Sequence, residues 1–101
     1  MATYSFPSTA DTGCQFTVGK NGATAQVTTT AESYTVQRRG ASGFANCINP
    51  DTGTVFTIGL SPANVATFGQ GTYQITKALT TAGEKLLLEG DAAPSGQTNW
   101  S

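Results

Sequence analysis

The chain of 101 residues contains no histidine. Histidine is the commonest general base and the commonest metal ligand in proteins. A Ser–His or Cys–His nucleophile therefore cannot be built within this chain. The sequence predicts a protein that is not an enzyme, with no catalytic, cofactor-binding or metal-binding residues.

Charge is also scarce, at 11% of residues against about 25% in an average protein. The net charge is −1, and only Arg38 and Arg39 bring two basic residues together. Adjacent residues of a strand point to opposite faces, so this pair makes no basic surface of the kind that binds nucleic acid. No apolar run approaches the ~20 residues that span a bilayer, and the first residues lack a signal-peptide pattern. We expect neither nucleic acid nor a membrane as partner.

Acidic residues number six. Glu89 and Asp91 stand two apart and could share one face, as the paired carboxylates of a glycosidase do, but Gly90 between them suggests a turn and solvated acids. Asp51 lies in a turn-like segment that resembles calcium loops, although calcium takes six to eight oxygen ligands. We interpret both segments as structural.

Cysteine occurs only at Cys14 and Cys47. A pair in a secreted protein suggests a disulfide, whereas two small buried thiols fit a chain without a signal peptide. The second interpretation is favoured, and the first stays open.

What the chain does have is threonine and glycine, with eighteen and twelve residues. Threonine favours strands, and short alternating segments follow one another with turn signals every eight to twelve residues, as in an all-β sandwich. Lys20-Asn21-Gly22 predicts a two-residue hairpin turn. The alternation predicts a core of Phe16, Val18, Val27, Tyr34, Val36, Phe56, Ile58, Leu60, Tyr73, Ile75, Leu86 and Leu88.

The segment from Leu60 to Tyr73 is the most informative in the chain. Ser61 suits the cap of a short helix and Pro62 its first position, which predicts one helical turn near Ser61 to Ala66. Glycines then precede Tyr73, which is placed like the residue of a tyrosine corner, whose hydroxyl bonds back to the backbone just upstream. These features predict an immunoglobulin-like β-sandwich of about seven strands.

The run from Gly71 to Gly90 begins with Gly-Thr-Tyr, passes Gly83-Glu84 and ends on Gly90. It resembles the closing hairpin of small phage virion domains, similar to the amino-terminal domain of phage baseplate upper proteins. The resemblance covers Gln15 to Gly90 in general pattern and Thr54 to Gly90 in residue detail. The resemblance implies an assembly role in a virion, as in capsid decoration or cement proteins, with no active site.

We divide the chain into an amino-terminal arm (residues 1–13), a sandwich domain (14–90) and a carboxy-terminal arm (91–101). Both arms are polar yet carry large aromatics, which are enriched at protein interfaces. An arm aromatic can fold back on its own domain or anchor in a partner. The residues predicted to bind partners are Tyr4, Phe6, Arg38, Arg39 and Trp100.

A weakly charged exterior suits a protein whose faces are covered by neighbours. We therefore expect a virion structural protein, in the capsid, at the head–tail junction or in the tail, that binds other virion proteins and itself through arms and sheet edges. The alternative is a module that binds carbohydrate or a cell surface, which would need exposed aromatics on one face.

Overall fold

A computed structural model describes residues 2–27, 34–48, 53–58, 65–77, 85–95 and 99–100. Within these ranges the chain forms strands and no helix, which confirms the all-β prediction. The strands are β1 (Ala2–Ser5), β2 (Asp11–Val27), β3 (Tyr34–Gly40), β4 (Gly43–Asn46), β5 (Thr57–Ile58), β6 (Val65–Phe68), β7 (Gly71–Lys77) and β8 (Lys85–Pro94). None of the described residues belongs to a helix long and apolar enough to cross a bilayer.

All eight strands belong to one antiparallel sheet with the order β1-β8-β2-β7-β3-β4. The other two strands lie beside this path, because β5 pairs with β3 and β6 pairs with β2. Side chains on one face of the sheet are buried in a single cluster to which seven of the strands contribute. The sheet therefore curves around one core.

The predicted core is largely confirmed. Ten of its twelve members are buried, Phe56 is half-buried against the cluster, and Leu60 lies outside the described residues. Hydrophobic alternation was sufficient to identify these positions because each strand that contributes to the core turns an apolar face towards it. The structure adds buried residues that the prediction left out, namely Tyr4, Phe6, Cys14, Ala23, Ala25, Ala66, Phe68 and Lys77.

The hairpin predicted at Lys20 to Gly22 is wrong. These residues lie inside the 17-residue strand β2, where four residues between Val18 and Ala23 stand opposite the single residue Asp91 of β8. The segment is a bulge, and it moves the buried side chains from even to odd positions along β2. Asn-Gly supplied the positive φ that a turn would use, since Gly22 has φ 78°, but the chain uses it to bend a strand.

The helical turn predicted near Ser61 to Ala66 is not seen. Its last two residues, Val65 and Ala66, belong to strand β6, and residues 61–64 lie outside the described part of the chain. The tyrosine corner is confirmed, because the Tyr73 hydroxyl donates a hydrogen bond of 3.0 Å to the Gly69 carbonyl oxygen.

Candidate interaction surfaces

The aromatic residues of the two predicted arms lie together inside the domain. Tyr4 and Phe6 are 0% and 3% exposed, and Trp100 packs against the core. The Tyr4 ring contacts Phe6 and Trp100 edge-on at centroid distances of 4.9 and 5.0 Å, and Phe6 stacks on Tyr34 at 4.6 Å. Tyr4 and Phe6 are therefore not on the surface, and the proposal that they anchor a partner is corrected to internal packing.

The reason is that β1 is a true strand of the sheet. It pairs with β8 from Ala2↔Leu88 to Ser5↔Lys85, which points Tyr4 inward. On its other side, the Ser5 N–H donates to the Asn99 carbonyl oxygen at 2.9 Å, and Tyr4 forms a bridge with Trp100. The two predicted arms are thus hydrogen-bonded to each other at the β1 end of the sheet.

A short polar network completes this cluster. The Tyr4 hydroxyl donates to Asp11 Oδ2 at 2.6 Å and accepts from Asn99 Nδ2 at 3.4 Å. Burial, followed by the hydrogen bond to Asp11, raises the pKa of Tyr4 well above its usual value. Trp100 Nε1 is also buried, with no hydrogen-bond partner among the described residues.

The two predicted arginines point to opposite faces, as their adjacency implies. Arg38 lies over the Tyr73 ring, with Cζ 5.8 Å from its centroid, and its Nη2 donates to the Gln70 carbonyl oxygen at 2.7 Å. Arg39 is exposed and stands opposite Phe44 of β4. Arg38 therefore covers one end of the core, and Arg39 is free to face a neighbouring molecule.

The outer face of the sheet carries a row of side-chain amides. Gln15 Nε2 donates to Gln74 Oε1 at 2.8 Å, Gln74 Nε2 donates to Gln37 Oε1 at 2.8 Å, and Gln37 Nε2 donates to Asn46 Oδ1 at 2.9 Å. We call these residues the amide ladder. It crosses β2, β7, β3 and β4 in register, so it runs perpendicular to the strands and ends on β4.

Among the described residues, β4 pairs with β3 only and forms one end of the sheet. Its residues Gly43, Ala45 and Asn46 are exposed, and Phe44 is half-buried. Ile48, just beyond β4, is 57% exposed, and Val55, which bridges to it, is 39% exposed. This edge, Gly43 to Ile48, has no charged residue or proline, the usual protections of an edge strand.

A shallow cleft of about 320 Å³ lies at the bulge, lined by residues that include Asn21, Gly22 and Glu89. Glu89 and Asp91 are exposed, and Asp91 Oδ2 accepts a hydrogen bond of 3.3 Å from the Asn21 backbone N–H. Asp91 thus holds the bulge, in keeping with a structural interpretation of this pair. No group of three or more potential metal ligands occurs within the described ranges, and Asp51 lies outside them.

The two cysteines are free thiols, Cys14 buried and Cys47 half-buried. Burial raises the pKa of both, so a smaller fraction of each thiol is present as the reactive thiolate.

Sequence reasoning missed the amide ladder. Its four residues occupy outward positions of different strands, so nothing in local periodicity links them. Only strand order and register could have brought Gln15 and Gln37 to opposite sides of Gln74.

Comparisons with family models, with curated proteins and with solved structures give no match to this chain. The resemblance to phage virion domains therefore stays a prediction.

Proposed function

We propose that this protein is a non-enzymatic structural component of a phage virion, which binds neighbouring virion proteins through its outer sheet face and its open edge. It acts as a capsid decoration or cement protein, or as a component of the head–tail junction or the tail. The virion location rests on the sequence resemblance over Thr54 to Gly90. In this proposal the curved sheet is an immunoglobulin-like sandwich, a comparison supported by the tyrosine corner at Tyr73.

The observation that carries the assembly role is the combination of the amide ladder with the uncovered strand β4. The ladder residues hydrogen-bond to one another across four strands, so they form a polar row that is itself uncharged. Such a row can be covered by a neighbour at low electrostatic cost, because burying an unpaired charge is far more expensive than burying a paired amide.

The carbohydrate-binding alternative is less well supported. All three Tyr, all five Phe and the single Trp lie in the described part of the chain, and each is buried or half-buried. A sugar-binding platform would need aromatic rings open to solvent on one face. The proposed assembly surface needs none.

The test is quantitative mass spectrometry of purified particles of the phage that encodes this chain. We expect the protein in many copies per particle, at a constant ratio to the major structural proteins. Its presence in the infected-cell lysate but not in particles would refute the proposal.

A matched pair of variants then tests the outer face. Gln37→Lys places a charge in the amide ladder, whereas Thr9→Lys places one at an exposed position away from it. Particles should lose Gln37→Lys protein and retain Thr9→Lys protein, provided that circular dichroism shows both to be folded. Equal amounts of the two variants in particles would show that the outer sheet face does not bind neighbouring virion proteins.

A further inference from the structure

We propose that strand β4 pairs with β4 of a second copy of this chain, antiparallel across a two-fold axis through Asn46. The inference deepens the proposed function, since it names a partner and a surface for assembly. It is nevertheless tested on the purified protein, so its failure and the failure of a virion role can be told apart.

The first step concerns the direction of the backbone groups. The Cys47 N–H donates to the Val36 carbonyl oxygen of β3 at 2.9 Å, and the Cys47 carbonyl oxygen accepts from the N–H of Phe56, the residue before β5, at 2.8 Å. Both main-chain groups of Cys47 are therefore used on the side of β3 and β5. In an antiparallel strand the groups alternate in direction. Phe44, Asn46 and Ile48 therefore direct their N–H and C=O groups away from β3, towards the open edge.

The second step is that the edge is self-complementary. The segment Phe44-Ala45-Asn46-Cys47-Ile48 has an amide at its centre, small residues beside it and large apolar residues at its ends. Antiparallel pairing centred on Asn46 places Phe44 opposite Ile48 of the second copy, which would bury the 57% exposed Ile48 side chain. The same register pairs all outward N–H and C=O groups, making up to about six main-chain hydrogen bonds.

The third step is the end of the amide ladder. Asn46 Oδ1 accepts from Gln37, and its Nδ2 has no partner among the described residues. Across the two-fold axis, Asn46 meets Asn46 of the second copy, whose amide offers both a donor and an acceptor. The two ladders then join into one row across both sheets, which favours a second copy over an unrelated strand.

Charge does not oppose this pairing. Arg39 lies on β3 opposite Phe44, so the two copies of Arg39 stand three strand spacings apart and are offset along the strands. At strand spacings of about 4.8 Å and rises of about 3.3 Å per residue, their backbones are separated by roughly 19 Å. That separation exceeds the screening length of about 8 Å at physiological salt.

The primary experiment is sedimentation equilibrium of the full chain from low micromolar to near-millimolar concentration, under reducing conditions. We expect reversible dimerisation. Ile48→Lys should yield a monomer, because the charge would face Phe44 of the second copy. Val65→Lys is the matched control, since Val65 is similarly exposed (50%) on another strand, β6, and it should dimerise as the native chain does.

The register is tested by cross-linking. Pairing centred on Asn46 brings Ala45 opposite the native Cys47 of the second copy as a pair without main-chain hydrogen bonds, with Cα atoms about 4.5 Å apart. Ala45→Cys should therefore give a covalent dimer on mild oxidation, and Ala41→Cys, in the exposed turn before β4, should not.

A native chain that is monomeric at every concentration would overturn the proposal. A native dimer that persists in Ile48→Lys, or that fails to cross-link through Ala45→Cys, would also overturn it by showing that another surface is used. Loss of dimers in Val65→Lys would implicate β6 instead. Thermal melting of each variant checks that a monomer is a folded monomer.

Discussion

The two strands at the ends of the sheet, β1 and β4, have the same length and opposite environments. Each has four residues, including one aromatic. Tyr4 of β1 is 0% exposed, because the backbone at Asn99 and Trp100 closes the far side of β1. Phe44 of β4 is only half-buried, and among the described residues nothing pairs with the outer edge of its strand.

The difference shows what an aromatic residue in a polar segment can mean. Tyr4 is accommodated inside because its hydroxyl finds Asp11, and such a partner removes the cost of burying a polar group. From composition alone, an aromatic residue that packs inside its own domain cannot be distinguished from one that binds a partner. The edge without a closing segment, β4, is therefore the better candidate for contacts with other molecules.

The largest expected effect is a difference in stability loss between substitutions at the β1 end and at the β4 end of the sheet. Phe6→Ala should destabilise the domain by about 3–5 kcal/mol, the range for a buried phenylalanine, because Phe6 is 3% exposed and stacks on Tyr34. The matched variant Phe44→Ala should cost about 1 kcal/mol or less. Urea unfolding at low protein concentration measures both, and equal losses would show that the two ends are equally packed.

The next effect compares two glycines with similar backbone angles. Gly90 has φ 107° and Gly43 has φ 116°, so alanine at either position is strained by about 1–3 kcal/mol. At Gly90 the new Cβ would also lie 2.8 Å from the Gly22 carbonyl oxygen, whereas at Gly43 nothing lies within 4 Å. Gly90→Ala should therefore have the lower melting temperature. The reverse order would show that the backbone around Gly90 adjusts to a Cβ atom more easily than the backbone around Gly43.

A smaller effect concerns the hydroxyl that closes the β1 end. Tyr4→Phe removes the hydrogen bond to Asp11 and should cost about 1.5–3 kcal/mol at neutral pH, as expected for a bond to a charged group. Burial raises the pKa of Tyr4 in the folded state, so stability from the protonated hydroxyl is complete below the unfolded pKa of about 10 and is lost as pH rises above it.

Unfolding measured between pH 8 and pH 12 should accordingly show a shallower alkaline decline for Tyr4→Phe than for the native chain. A residual decline belongs to groups such as Cys14, whose pKa burial also raises. Identical alkaline profiles for the two proteins would show that Tyr4 ionises as freely in the folded state as in the unfolded one.

Much of the fold could be predicted from local pattern, and the remainder depended on pairing. Alternation identified buried residues such as Phe16 and Ile75, because strand periodicity is a local property. It could not distinguish a turn from a bulge at Asn21-Gly22, since both use the same backbone angles. It also placed Tyr4 outside the core, because the segment that closes β1 lies more than ninety residues away.

The candidate surface was less predictable than the core. Arg39 was predicted as a partner-binding residue from its charge, and that stays a prediction. The ladder through Gln37 and Gln74 arises only from strand order and register. Polar outward positions carry little local information, because threonine, glutamine and asparagine are all acceptable there.

The smallest expected effect lies where the two regions meet, at Tyr73. Its ring belongs to the core, being 6% exposed, while Arg38 covers it from the β3–β4 side. Tyr73→Phe keeps the ring and the arginine contact and removes only the hydrogen bond to Gly69, so it should cost about 1 kcal/mol. Arg38→Met is the companion variant, because it keeps an apolar cover and removes both the cation, worth about 0.5–1 kcal/mol at an exposed site, and the hydrogen bond to the Gln70 carbonyl oxygen. Melting temperatures of the two single variants and the double variant measure the loss of stability that each substitution causes. Additive losses would mean that the Tyr73–Gly69 hydrogen bond and the contacts of Arg38 stabilise the domain independently. An unchanged melting temperature for Tyr73→Phe would show that the hydrogen bond to Gly69 adds nothing to stability.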